Sequence, residues 1–158
     1  MGLGQIMLAA LPVVLAVLLL SAGIEDVRVR EIANWKNAAI ALLAPAWWWT
    51  TGLGLWPEVA LQVGVALAVF GLFTGAFALG MMGGGDVKMI GALALWFPLT
   101  VLPQMLVTMS LVGGAITVAM LIERKWRKHE IEVPYGVAIA VAGLLALGEP
   151  VLNQMAAR

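Results

Sequence analysis

Long apolar stretches separated by short polar segments are the main pattern of this chain. No Asp, Glu, Lys or Arg occurs within residues 1–24, 37–57, 59–79, 89–122 or 133–148. A helix rises 1.5 Å per residue, so about 20 apolar residues cross the hydrocarbon core of a bilayer. The pattern therefore predicts a bundle of transmembrane helices joined by polar loops.

The stretch from Met89 to Ile122 is too long for one ordinary span. Pro98 and Pro103 favour a turn that divides it into two short helices. The chain is then predicted to be an all-α, polytopic integral membrane protein with six transmembrane helices. Residues 1–158 are expected to form a single membrane-embedded domain.

Aromatic residues, glycines and charges refine this scheme. The tryptophans at 47–49, 56 and 96, with Phe97, are expected at the membrane interface. Pro45 and the Gly52/Gly54 pair should break the second helix. Residues 25–36 carry six charges and are expected to form a loop. Four glycines of the third span are expected to allow close helix packing: Gly64, Gly71, Gly75 and Gly80.

Composition narrows the possible chemistry. The chain is 63% hydrophobic and 11% charged with no net charge, which excludes a basic footprint for nucleic acid. It has no cysteine and one histidine, His129, so thiol catalysis and a metal site built on His or Cys lack the necessary residues. Any catalysis is expected to come from carboxylates, without a metal or cofactor.

The basic residues are distributed very unevenly among the loops. With six spans, eight of the nine fall in the segments 25–36, 80–88 and 123–132, which share one face, and only Arg158 falls on the other. The positive-inside rule places that face in the cytoplasm and both termini outside. Asp26 and Asp86 are then expected at the same cytoplasmic membrane surface.

The segment Gly83-Gly84-Gly85-Asp86-Val87-Lys88 places a carboxylate between two apolar stretches. Ionisable groups in such positions are candidates for function. The glycines allow a tight turn and close approach to the acid. An equally open interpretation is that the glycines end one helix and Asp86 caps the next. Asn34 is expected to be the N-cap of the second helix.

Two carboxylates brought together can act as an aspartic dyad. Repulsion and desolvation leave one protonated and one ionised. The ionised acid takes a proton from water, and the protonated acid hydrogen-bonds the carbonyl that is attacked. Asp26 and Asp86 are the candidate pair.

These residues resemble the type IV prepilin peptidases, which are polytopic aspartic proteases. The segment from Gly83 to Lys88 is similar to the family's GxGDxK motif. Asp26, followed by Ile32-Ala33-Asn34, is similar to the family's first motif, although Ala33 stands where Pro is usual. Pro134-Tyr135-Gly136 resembles the opening of the family's last helix. The resemblance implies catalysis by Asp26 and Asp86, with Asn34, Gly83, Gly85 and Lys88 as supporting residues.

The resemblance also implies a substrate and a location. The substrate would be a prepilin with a basic leader and an apolar helix, cut at the cytoplasmic face of the bacterial inner membrane. In its lack of cysteines and its length, the chain resembles the small, peptidase-only branch of the family, which processes Flp-type pilins. Negative charge at Glu25, Glu31, Glu130 and Glu132 would then face the leader, or would only balance nearby Arg and Lys. The oligomeric state is left open.

Three other functions stay open. A presenilin-like intramembrane protease shares the GxGD motif, although its partner acid follows a tyrosine, and the one tyrosine here, Tyr135, precedes Gly136. A small transporter or channel subunit would use Asp26 and Asp86 as ion sites, but such sites usually lie near the membrane midplane. A structural assembly factor of a secretion system would need neither acid.

Overall fold

The computed structural model describes residues 2–127 and 134–156, which form six α-helices and no strand. They are listed in chain order: α1 Leu3–Val29, α2 Asn34–Thr51, α3 Ala60–Ala78, α4 Gly84–Ala94, α5 Leu102–Arg127 and α6 Tyr135–Ala156. A wide helical turn, Leu55–Val59, leads into α3. The all-α class is confirmed, and the predicted division of residues 89–122 appears as the break between α4 and α5.

Within the described ranges 2–127 and 134–156, three helical segments are long and apolar enough to cross a membrane: Leu3–Val29, Leu55–Ala78 and Leu102–Glu123. Tyr135–Gly148 is a shorter apolar helix. The 11 residues of α4 rise only about 16 Å, roughly half of a hydrocarbon core. The chain therefore has the helices of a membrane protein, and the count of six spans stays a prediction.

The loop predicted at residues 25–36 is mostly helical. Helix α1 continues to Val29 and ends at Arg30, whose φ is +59°, and α2 begins at Asn34. Two of its charges form an ion pair: Lys36 Nζ lies 2.9 Å from Glu25 Oε2 and also donates to the Ser21 carbonyl oxygen at 3.1 Å, while Arg28, Arg30 and Glu31 are exposed. The predicted loop at 123–132 begins inside α5, and its residues 128–132 lie outside the described part.

Helix α4 is at the centre of the bundle, where α2, α3 and α6 all pack against it. Every residue from Asp86 to Ala94 is buried except Lys88. Helix α1 packs against α2 and α6, and its buried leucines complete the core. The short central helix thus carries Asp86 into the protein interior instead of into lipid.

Part of the predicted aromatic belt belongs to this core. Trp47 and Trp96 are buried and stacked with ring centroids 5.6 Å apart, and Phe97 is buried beside them. Trp96 Nε1 donates to the Ile40 carbonyl oxygen at 2.8 Å. These three side chains therefore pack inside the protein, whereas Trp49 and Trp56 are exposed; their position at the membrane interface stays a prediction.

The glycine prediction for the third span is also wrong. A Cβ added at Gly64, Gly71 or Gly75 would meet no atom within 4 Å. Gly80 has φ +71° and lies in the turn after α3. Few residues of α3 are buried, and these three glycines face open space.

Close contact at glycine occurs instead between α1 and α6. A Cβ at Gly23 would lie 3.2 Å from Ala140 Cβ, and one at Gly143 would lie 3.0 Å from Leu19 Cδ1. In α2, Pro45 lies inside the helix, which ends at Gly52 with φ +75°. Gly52, and not Pro45, therefore makes the predicted break.

Candidate active site

Asp26 and Asp86 meet at one cavity. Asp26 lies in the last turns of α1 and Asp86 in the first turn of α4, with exposed fractions of 5% and 8%. The open cavity has a volume of about 360 Å³ and is lined by both acids, the segments 30–32 and 83–85, and Asn34. The structure therefore brings together five of the six predicted site residues.

The glycines before Asp86 shape its surroundings. Gly83 is the N-cap of α4, so the interpretation of Asp86 as the cap is wrong. The Asp86 carboxylate turns back toward Gly83, where a Cβ would lie 3.1 Å from Oδ2. A Cβ at Gly85 would lie 3.3 Å from Ile32 Cβ. The absence of side chains lets the start of α4 pack closely on the segment that follows Asp26.

Asp26 lies against the first turn of α6. The Val137 N–H donates to Asp26 Oδ2 at 3.3 Å, and a Cβ at Gly136 would lie 2.9 Å from Asp26 Cγ. A helix N-terminus favours a nearby anion because its N–H groups point outward. Pro134-Tyr135-Gly136 was recognised in the sequence only as a helix opening, and its contact with Asp26 was missed.

The protein environment alters the acidity of Asp86, which precedes the apolar run starting at Met89. Burial raises the pKa of Asp86 to about 6, and the nearby charge of Asp26 acts in the same direction. An unperturbed aspartic acid has a pKa near ~3.9. Asp86 can therefore hold a proton at much higher pH than an exposed aspartate, which suits a dyad in which one acid is protonated.

The two neighbouring acids of α1 have different surroundings. The Glu25 carboxylate pairs with Lys36 and accepts a hydrogen bond from the Ala33 N–H at 3.1 Å. Asp26 lines the cavity, and Glu25 does not. The contacts of Glu25 favour charge balance over leader recognition at this position. Glu31 lines the cavity, whereas Glu130 and Glu132 lie outside the described residues.

Lys88 and Asn34 link two helices beside the cavity. Lys88 Nζ donates to Asn34 Oδ1 at 2.8 Å, so Lys88 supports a lining residue but does not line the cavity itself. The N-cap of α2 is Ala33, and the predicted capping by Asn34 is wrong because its side chain bonds Lys88. Asn37, not singled out in the sequence, donates from Nδ2 to the Gly85 carbonyl oxygen at 3.1 Å.

Residues 13–118, more than half of the chain, match the model of the type IV leader peptidase family. The matched region contains both Asp26 and Asp86. The chain belongs to this family of membrane peptidases.

Two relatives illustrate the match. The prepilin leader peptidase/N-methyltransferase of Aeromonas hydrophila is 35% identical over 66 residues, which cover 42% of this chain and 22% of that protein. The protein of the same name from Aeromonas salmonicida strain A449 matches to the same extent. The similarity thus spans less than a quarter of the length of these relatives. No solved structure shows significant similarity to the chain.

Proposed function

We propose that this chain is an aspartic endopeptidase that removes the leader peptide from prepilins, with Asp26 and Asp86 as its catalytic pair. The observation that carries the proposal is the shared cavity, in which two buried carboxylates from different helices face the same space. Family membership supplies the reaction class, and the names of the relatives supply the substrate class.

The proposed mechanism divides the work between the two acids. Asp86, which its surroundings make easier to protonate, acts in its protonated form and donates a hydrogen bond to the scissile carbonyl oxygen. Asp26, held at the N-terminus of α6, takes the proton from the attacking water. The hydroxide adds to the carbonyl carbon, and a proton passes to the leaving nitrogen as the peptide bond breaks. No covalent intermediate is needed.

The location of the reaction follows from the charge pattern. The eight basic residues of the shared face support a dyad at the cytoplasmic surface of the bacterial inner membrane. There the cavity meets the junction between the basic leader and the apolar helix of a prepilin. The Flp-type branch is part of the same proposal, and it rests on the absence of cysteines.

Two alternatives differ in what they require. A presenilin-like protease would cut within an apolar segment, and a transporter or channel would move an ion past Asp26 and Asp86. The exposed residues Glu31 and Gly83 both line the cavity, which supports a site that water and a polar leader can reach.

Co-expression with a Flp-type prepilin tests the proposal. We expect a shortened pilin whose new N-terminus, read by mass spectrometry, lies at the junction between leader and apolar helix. A cut inside the apolar helix would favour the presenilin-like alternative. An uncut prepilin in the presence of folded, membrane-inserted protein would contradict the proposed function.

A further inference from the structure

A second, apolar groove lies beside the active-site cavity. Helices α2 and α3 both pack against α4, and the space between them is an open groove of about 500 Å³. The two spaces share one lining residue, Asn34. The groove is therefore next to the cavity that contains Asp26 and Asp86, and Asn34 lies at the border between the two spaces.

Each of the three helices presents one regular face to the groove. On α2 the lining residues are Asn34, Asn37, Ala38 and Ala41. On α4 they are Lys88, Gly91, Ala92 and Leu95. On α3 they are Val63, Ala66, Leu67 and Phe70. All three sets have the spacing i, i+3, i+4 and i+7, which is one stripe along a helix.

The dimensions of the groove suit a helix. Seven residues of helix rise about 10 Å, so each wall is two turns long. Small side chains line much of it, and small residues let helices approach closely in lipid. Amphipathic and apolar helices bind grooves of this kind through residues spaced i, i+3, i+4 and i+7.

The polarity of the groove changes along its length. Its polar residues Asn34, Asn37 and Lys88 lie at the end near the active site, and the rest of the lining is apolar. A prepilin has the same order of polarity, with a polar cleavage junction followed by an apolar helix. A chain cut at the dyad would enter the groove at Asn34.

We propose that this groove binds the first two turns of the substrate's apolar segment as a helix, directly after the scissile bond. This inference rests on the proposed function, because it uses the dyad as the point of entry. Binding there fixes which peptide bond reaches Asp26 and Asp86. The groove thus acts as the site that sets the cleavage position.

Photo-crosslinking tests this binding separately from catalysis. Ala41→p-benzoylphenylalanine is combined with Asp86→Asn, and the purified protein is irradiated with a prepilin in phospholipid vesicles. We expect adducts with the first two turns of the substrate's apolar segment. The same probe at Ala68, an exposed position of α3 outside the groove, should give few such adducts. Adducts with phospholipid alone, with the leader alone, or equally from both positions would overturn the proposal.

Filling the groove gives a kinetic test. Ala38 is exposed at the groove wall, so Ala38→Trp narrows the groove without creating a buried clash. We expect the KM for a full-length prepilin to rise about tenfold, with kcat within about twofold; a tenfold change corresponds to about 1.4 kcal/mol. Ala68→Trp is the matched control and should leave both constants unchanged.

Two outcomes separate this inference from the proposed function. Wild-type protein that cleaves nothing contradicts the proposed function, while crosslinking still tests binding. If the wild-type protein cleaves the prepilin but a folded Ala38→Trp variant has an unchanged KM, the proposed role of the groove is overturned and the proposed function is not affected. If Ala38→Trp does not elute as a single folded species, Ala38→Leu is measured in its place with the same criteria.

Discussion

At the scale of single residues, each acid of the candidate dyad is close to the N-terminus of a helix, although Asp26 itself belongs to the last turns of α1. Asp86 belongs to the first turn of α4, and Asp26 accepts a hydrogen bond from the first turn of α6. Outward-pointing N–H groups make such positions favourable for negative charge. The two carboxylates can therefore be buried close together while the ionised member of the pair is still stabilised.

The raised pKa of Asp86 predicts a stability effect that depends on pH. Unfolded Asp86 has a pKa near ~3.9, and the folded group about 6. Between these two pH values the folded state binds more protons than the unfolded state. The free energy of unfolding therefore falls as the pH rises from about 4 to about 6, and it stays at the lower value at higher pH. Asp86→Asn mimics the protonated acid. This substitution should raise the Tm at pH 8 by roughly 2–4 °C, which corresponds to an increase of about 1 kcal/mol in the free energy of unfolding for a chain of this length.

A matched pH series checks this prediction. The gain of Asp86→Asn should disappear near pH 4, where the wild-type acid is also protonated. Glu31→Gln removes an exposed carboxylate and should give no comparable gain at pH 8. An equal gain at pH 4 and pH 8 would show that burial of the charged form is not its cause.

Sequence reasoning could identify Asp26 and Asp86 as candidates, because each interrupts or ends a long apolar stretch. The contact of Gly136 with Asp26 could not be predicted in this way, since it joins residues 110 positions apart. The hydrogen bond from Asn37 to the Gly85 carbonyl oxygen could not be predicted for the same reason. Local patterns indicate which residues are unusual, whereas tertiary packing decides which of them touch.

At the scale of helices, α4 is the element that the apolar pattern describes least well. Hydropathy predicts a span beginning at Met89, yet the helix has 11 residues and is surrounded by protein. Side chains donate hydrogen bonds to the backbone carbonyl groups at and just beyond its C-terminal end. Gln62 Nε2 donates to the carbonyl oxygens of Ala94 and Phe97, and Trp48 Nε1 donates to that of Leu95. A short helix can end inside the bundle because these donors satisfy its backbone.

Glycine replacement tests the helix packing directly. Gly143→Ala places a Cβ 3.0 Å from Leu19 Cδ1 and 3.3 Å from Leu93 Cδ1, so it should destabilise the protein by about 1–3 kcal/mol. Gly75→Ala meets no atom within 4 Å and should be neutral or stabilise α3 by up to about 1 kcal/mol.

Thermal unfolding in one detergent compares these two variants. A lower Tm for Gly75→Ala than for Gly143→Ala would contradict the packing described here. That result would instead support the sequence-based expectation that the glycines of α3 lie where two helices pack closely.

At the scale of the whole molecule, orientation decides where the active site works. The exposed residues Arg30 and Glu31 line the cavity, and the charge pattern predicts that this end of the molecule faces the cytoplasm. Glu58, between α2 and α3, should then lie on the opposite side. Helix α2 separates Glu31 from Glu58 along the chain, so labelling at these two positions distinguishes the two possible orientations.

Cysteine labelling measures it, because the chain has no cysteine of its own. In intact cells whose outer membrane has been permeabilised, a membrane-impermeant maleimide should label Glu58→Cys. It should label Glu31→Cys only after the inner membrane is opened. Labelling of Glu31→Cys before that step would place the dyad on the outer side and contradict the proposed access to prepilin leaders.

The most direct test of the catalytic pair is a rate comparison of purified variants on one prepilin. Asp26→Asn, Asp86→Asn and the double variant should each lose cleavage to the same low level, because either substitution alone removes the dyad and the effects do not add. Glu25→Gln, which changes the adjacent acid paired with Lys36, should keep most of the rate. A folded Asp26→Asn variant that retains the wild-type rate, or a Glu25→Gln variant that alone loses it, would contradict the assignment of Asp26 and Asp86 as the catalytic pair.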